Sequence, residues 1–408
     1  MTSRPGPTTL RALRHELERR LPDYLADLET LVVIESGSYT KPGVDQVAGW
    51  MAGRLEALGA TIERYPNMDL GDTIVATWAR SSAGPTLMLI GHSDTVFEVG
   101  YLARRPFEIH GDTIRGPGVS DMKGGLLAGL YALEALRATA GTTDWLPVGR
   151  LVFVVNPDEE IGSPASTPII ADLAQRADVA FVLEAARANG DIVSARKGMM
   201  HLQASIHGRS AHAGVEPEKG RSAVLEAAHK TVALHALNGR WDGVTVNVGA
   251  LRGGTRPNIV AEEAMMTIDV RARLATEQAE AEAAVRGILE RSTVPDVHTD
   301  VKLLAHSHPM EKTEAAGRLV DLAVAIAADL GFALSDAETG GGSDANTTAG
   351  VGVPSLDGLG PVGGNDHSPL EYIEVASIVP RTTLLAALML SVGSAVAGGR
   401  KGDAPDAG

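Results

Sequence analysis

Five side chains stand where divalent-metal chemistry could be done: His92 in GHSDTV, Asp121 in GPGVSDMKGG, Glu160 in DEEIGS, Glu184 closing VAFVLE, and His367 in NDHSP. Three of them, His92, Glu160 and Glu184, follow strongly apolar runs. A pair of divalent ions needs about this set. Each ion takes an imidazole and a carboxylate of its own, and one carboxylate bridges the pair at a separation of roughly 3.5 to 4 Å. Asp121 is the natural bridge. Ions held this way depress the pKa of water toward about 7, so hydroxide becomes available at neutral pH. The run Asp158, Glu159, Glu160 adds a base. If it is extended, neighbouring side chains alternate, so Glu160 meets metal while Glu159 faces substrate and moves a proton. Alone, each residue has a plainer explanation, such as a polar loop histidine, a solvated acidic turn, or a helix cap at Asp121. Their convergence on strand ends argues for a site.

The chain has no cysteine, so disulfides, thiol nucleophiles and thiolate metal sites are excluded, and any metal must be held by oxygen and imidazole. HELER at His15 starts like a zinc-binding HExxH helix but has Arg19 where the second histidine must be, which makes it a surface helix. GPGVSDMKGG and Gly340 to Asp344 are glycine-rich without phosphate-loop spacing, and read as tight turns. His15, His110, His201, His207, His229, His235, His298, His306 and His308 have no comparable context.

The elements that must position these residues are legible from periodicity. Leu87 to Ile90, Leu151 to Val155 and Val179 to Leu183 are unbroken apolar runs, as expected of parallel strands buried on both faces. Helix-length patterns such as Gly125 to Leu136 lie between them, predicting an α/β, doubly wound, mainly parallel sheet whose ligands bind at strand carboxyl ends. After Lys197 the order becomes strand (Met199 to Ile206), helix (Ala223 to Leu237), strands (Val244 to Leu251 and Ala264 to Ala272), helix (Glu277 to Leu289) and strand (Asp300 to Leu304). That is the ferredoxin-like βαββαβ unit. A helix over Glu314 to Leu330 and a last apolar helix after Pro380 resume the first pattern. The expected organisation is a catalytic domain over residues 10–197 and 307–396, interrupted by an inserted α+β domain over 198–306, with a flexible tail over 397–408.

Composition narrows the function further. The 408 residues are 44% hydrophobic and 21% charged, without eighteen consecutive uncharged apolar residues, so a globular chain rather than a disordered or membrane one is expected. A net charge of -15 repels nucleic acid, and a small anionic substrate needs its own basic pocket. The N-terminal stretch is charged and helix-like, which makes cytoplasmic residence the default, and both MTSRPGPTT and AGGRKGDAPDAG have the content of frayed tails.

The ordered motifs GHSDTV, GPGVSDMKGG, DEEIGS, SARKG, GRSAHAG, RPNIVAEEA, DVRAR, ETGGGSDAN and DHSPLEY resemble the di-zinc aminoacylase and carboxypeptidase family, most closely its glutamate carboxypeptidase branch, from about Leu31 to about Leu385. The resemblance implies two zinc ions per subunit, with cobalt or manganese as substitutes. One ion is implied on His92, Asp121 and Glu184, the other on Asp121, Glu160 and His367. Asp94 is similar to the family aspartate that fixes the ligand imidazole's tautomer, and Glu159 to the general base. His212 is similar to the histidine that stabilises the oxyanion, often across a dimer, which implies a homodimer through the inserted domain. Arg271 and Asn258 match positions that grip the substrate carboxylate and line the oxyanion region, with Gly341 and Gly342 shaping the same pocket. Ala185 replaces a common family proline, and GGNDHSP is longer and more polar than in the branch, which leaves substrate identity open.

The function expected is hydrolysis of an N-acyl amino acid or C-terminal peptide bond with a carboxylate-bearing leaving group, glutamate first. An aminoacylase or dipeptidase is the near alternative. An amide-forming enzyme on the same scaffold is a further one, and a non-catalytic binding protein is disfavoured because every ligand and Glu159 are present.

Overall fold

A computed structural model describes residues 4–79, 84–141, 145 and 148–397. The tail expected at the C-terminus lies, from residue 398 on, outside the described residues. The chain divides into two compact units. One takes in the described residues of Met1–Ser194, Lys312–Glu338 and Ser343–Gly408, the other Ala195–Glu311 and Thr339–Gly342.

The first unit opens with α1 (Pro7–Val32), α2 (Lys41–Ala57), β1 (Thr61–Tyr65), β2 (Thr73–Ala79) and β3 (Thr86–His92). A hairpin of β4 (Glu108–His110) and β5 (Thr113–Arg115) precedes α3 (Gly124–Ala140), β6 (Arg150–Asn156), α4 (Thr167–Ala174), β7 (Val179–Val182) and β8 (Ile192–Arg196). The second unit carries β9 (Gly198–His207), α5 (Ala223–His235), β10 (Thr245–Gly253), β11 (Glu263–Ala272), α6 (Ala275–Glu290) and β12 (His298–Ser307). The chain then runs through α7 (Glu314–Leu330), β13 (Asp336–Thr339), α8 (Asp344–Gly350), β14 (Ser355–Leu356), β15 (Gly363–Gly364), β16 (Tyr372–Glu374) and α9 (Val375–Ala397).

The main sheet has the order β1-β2-β6-β3-β7-β14, with β6, β3, β7 and β14 parallel and β1 and β2 antiparallel at one edge. Its central strands are buried almost throughout, and fully buried side chains such as Phe153 and Phe181 each contribute about 1.5 to 3 kcal/mol. From β3 the chain crosses through α3 to β6 on one side, then through α4 back to β7 on the other. With right-handed crossovers this reversal puts α3 and α4 on opposite faces and opens a crevice at the carboxyl end of β3. His92 is the last residue of that strand. Gly125 is required where α3 meets the sheet, since a Cβ there would lie 1.8 Å from the Leu183 carbonyl oxygen.

In the second unit the sheet order is β10-β11-β9-β12, all antiparallel, which is the ferredoxin-like arrangement. β9 alternates strictly, with Met200, Leu202, Ala204 and Ile206 buried, in one cluster with residues of α5 and α6.

Three local expectations need correction. The stretch MTSRPGPTT is not wholly frayed: α1 begins at Pro7, with proline in its first turn, and Arg4 Nη1 donates to Asp329 at 2.9 Å. The last helix starts at Val375, before Pro380. A proline inside a helix costs about 3 kcal/mol, and burial of Ile378 and Val379 on the preceding turn offsets it. The acidic run after β6 is also not extended, as described below. The α9 window Val375–Val392 is long and apolar enough to cross a membrane, but 72% of it is buried within the protein.

Candidate metal centre

The parallel strands deliver three of the predicted residues to one crevice. His92 ends β3, the Glu159–Ile161 turn follows β6, and Glu184 lies just past β7. His92 Nε2 lies 2.9 Å from Asp121 Oδ1 and 3.6 Å from Glu184 Oε1. His367, in the loop between β15 and β16 with φ of 61°, places Nε2 3.0 Å from both Asp121 Oδ2 and Glu160 Oε2. The two oxygens of Asp121 therefore face two different imidazoles. Donor atoms of His92, Asp121 and Glu160 lie within 4.8 Å of one another, as do those of His92, Glu159 and Glu184.

Asp121 is held by Glu371, whose carboxylate accepts from the N–H groups of Gly118, Ser120 and Asp121 at 3.1, 2.8 and 3.1 Å. Burial pushes the Glu371 carboxyl up to about 8, against the pull of those donors. The acidic run enters a 3₁₀ turn, Glu159–Ile161, because the N–H groups of Glu159 and Glu160 both donate to Asp94, each at 3.2 Å. Successive N–H groups converge on one carboxylate in a turn and diverge in a strand. Asp158 itself is tied off, accepting from Ala165 N and Ser166 Oγ at 2.6 Å each. Asp94, fully buried, has Oδ1 3.3 Å from His92 Nδ1.

Without cations the crevice concentrates negative charge. Burial raises the Glu159 and Glu184 carboxyls well above the usual range; the charges of Asp344, Glu160 and Asp121 add to the effect on Glu159, and those of Asp121, Glu159 and Asp357 to that on Glu184. Against burial, the Glu184 charge and the bonds to Asp121 and Asp94 raise the His92 imidazole. Among the described residues, Glu160 Oε1 is buried without a hydrogen-bond partner. An orphaned carboxylate oxygen amid oxygen and imidazole donors fits one or more divalent cations.

The family profile described as peptidase family M20/M25/M40 matches residues 88–391. Carboxypeptidase G2 of Pseudomonas sp. (strain RS-16) is 31% identical over 381 residues, covering 91% of this chain and 90% of that protein. The chain belongs to peptidase family M20/M25/M40. Among solved structures, aminopeptidase PepT from Bacillus cereus superposes with a TM-score of 0.75 at 23% identity, covering 92% of this chain and 99% of the other. The M20 metallo-carboxypeptidase Sso-CP2 from Sulfolobus solfataricus gives 0.68 at 16%, covering 90% and 98%. The protein is thus a metal-dependent hydrolase of the M20 family.

The remaining predicted residues of this M20 peptidase lie in the second unit. His212 is exposed and forms a bridge with Ile259, and Ala213 N donates to the Asn258 carbonyl at 3.0 Å, so His212 and Asn258 share one local frame. Arg271 Nε donates to Asp269 at 3.0 Å. The carbonyls of Gly341 and Gly342 accept from Arg196 Nη1 at 3.0 and 3.3 Å. Sequence reading missed two residues that shape the crevice, Glu371 and Asp344. Asp344 accepts from Asn156 Nδ2 at 2.5 Å and Ser163 Oγ at 2.7 Å, and burial pushes its carboxyl up to about 6. The signal was present in GGGSDAN, where Ser343 and Asn346 form a capping box that fixes the start of α8.

Proposed function

We propose that this protein is a dinuclear zinc peptidase releasing a carboxylate-bearing amino acid, glutamate first, from an N-acyl amino acid or a C-terminal peptide bond. The division of the Asp121 oxygens between two imidazoles carries the reading, because a bridging ligand needs that arrangement. His92, Asp121 and Glu184 would hold one ion, and Asp121, Glu160 and His367 the other. When bound, such ions acidify water and polarise a carbonyl. With those donors committed, Glu159 is left as base. Its carboxylate takes a proton from the attacking water and passes it to the departing nitrogen, so the C–N bond breaks to release a neutral amine. Burial raises its carboxyl above the ordinary value, which makes it a stronger base than a solvated glutamate. Asp94 orients His92.

The same reading assigns Arg271 to the substrate carboxylate, Asn258 and His212 to the oxyanion, and Gly341 and Gly342 to the pocket wall. A homodimer through the second unit is part of it, supported by exposed Val224, Leu225 and Val232 on α5 and Leu251 on β10; sedimentation tests it. Cytoplasmic residence is a further part of the reading; cell fractionation tests it.

The name of the Pseudomonas relative points to carboxypeptidase action. The test is amine release from a panel of N-acyl amino acids and dipeptides by metal-loaded protein, beside Glu159→Ala and a chelated control. Release of one amino-acid class, lost in both controls, is expected. Release only from free dipeptides would shift the reading to a dipeptidase. No release at all, with metals bound, would turn the reading toward amide formation or a specialised substrate outside the panel.

A further inference from the structure

We propose that His207, His298 and Asp300 form a separate site for a borderline divalent transition ion such as zinc, on the open face of the second unit's sheet. His207 ends β9 and His298 opens β12, and the two are directly paired in the antiparallel register. Paired residues project from the same face, and residue 300 lies on it too, two along from His298. The imidazole rings stack at 4.8 Å with an interplanar angle of 21°, and His207 Nε2 lies 3.3 Å from Asp300 Oδ2. Donor atoms of all three residues lie within 4.8 Å of one another.

Two imidazoles and a carboxylate select zinc, cobalt, nickel or copper over magnesium or calcium, which demand oxygen-rich shells. A tetrahedral ion with bonds of roughly 2.0 to 2.1 Å has ligand atoms roughly 3.4 Å apart, close to the separation already present between His207 and Asp300. Solvent supplies the remaining position. Glu263, opposite His207 on β11, adds negative charge on the same face.

The ligands are also held in place. The turn that delivers His298 donates Thr293 N and Val294 N to buried Glu226 at 2.9 and 2.7 Å, and Lys230, paired with Glu226 at 3.1 Å, donates to the carbonyls of Leu289 and Arg291. An ion on these residues would fasten β12, an edge strand, to β9. Because it binds only the folded sheet, it would raise thermal stability by mass action.

Tag-free full-length protein dialysed against micromolar zinc, with metal counted by mass spectrometry, tests the assignment. His298→Ala and Asp300→Asn are each expected to bind one equivalent fewer than the parent, to keep hydrolase activity within about twofold, and to lose part of the zinc-dependent rise in Tm. That difference of one equivalent does not depend on how many ions the first unit holds. Unchanged zinc content in both variants, or loss of more than one equivalent together with activity, would overturn the proposal.

Discussion

The Asp94 carboxylate organises the crevice through several partners at once. It accepts from Ser38 Oγ at 2.7 Å and from the N–H groups of Glu159 and Glu160, and it stands beside His92 Nδ1. Replacing one oxygen by an amide nitrogen turns an acceptor into a donor facing other donors. Asp94→Asn should therefore weaken metal affinity on the order of 10- to 100-fold, measured by competitive chelator titration; unchanged affinity would remove Asp94 from the positioning role. At this scale the local motifs were informative: GHSDTV holds both His92 and Asp94, and DEE holds Glu159 and Glu160. GGGSDAN marked the helix start at Asp344, but the roles of Asp344 and Glu371 in the crevice were not legible because their partners are distant in sequence, 188 residues for Asn156 and 250 for Asp121. Only the fold brings them together.

Helix α9 shows how an element distant from the chemistry supports it. Arg381, buried, donates to the carbonyls of Gly360, Gly190 and Gly358, and burial lowers its pKa to about 10. Gly360 N in turn donates to the carbonyl of Glu184 at 2.8 Å. Arg381→Leu leaves three carbonyls unsatisfied and should cost on the order of 3 to 5 kcal/mol in urea unfolding, with a parallel fall in metal affinity. A midpoint equal to the parent's would contradict this. Strand and helix periods were readable wherever one face or both are buried, as in β3, β6, β7 and β9. Two elements were misread because tertiary contacts outweigh local rules. Burial of Ile378 and Val379 lets α9 start at Val375, a turn before Pro380, and Asp94 folds the acidic run into a turn.

Across the whole molecule, the change from buried parallel runs to alternating strands after Lys197 made a two-part α/β and α+β chain legible, and the family match agrees with that fold class. The charge gathered in the crevice has a consequence for global stability. Glu159 and Glu184 have carboxyl pKa values raised above their ordinary 4.5. Groups so shifted stabilise the metal-free fold fully below the unfolded value and lose that contribution as pH rises through the folded one. Bound cations offset the same charge. Chelation should therefore lower Tm more at about pH 7.5 than at about pH 5, with a full effect of about 4 kcal/mol if free metal stood near 1,000 times Kd; an equal drop at both values would contradict it. The central claim is tested most directly by titrating zinc back into chelator-stripped protein while following hydrolysis, in the parent and in Glu159→Gln. The account predicts no turnover in the stripped protein and a plateau at the second tight equivalent. It also predicts the same metal uptake in the variant, with kcat lower on the order of 10²- to 10⁴-fold. A plateau at the first equivalent, or turnover that survives stripping or Glu159→Gln, would contradict it.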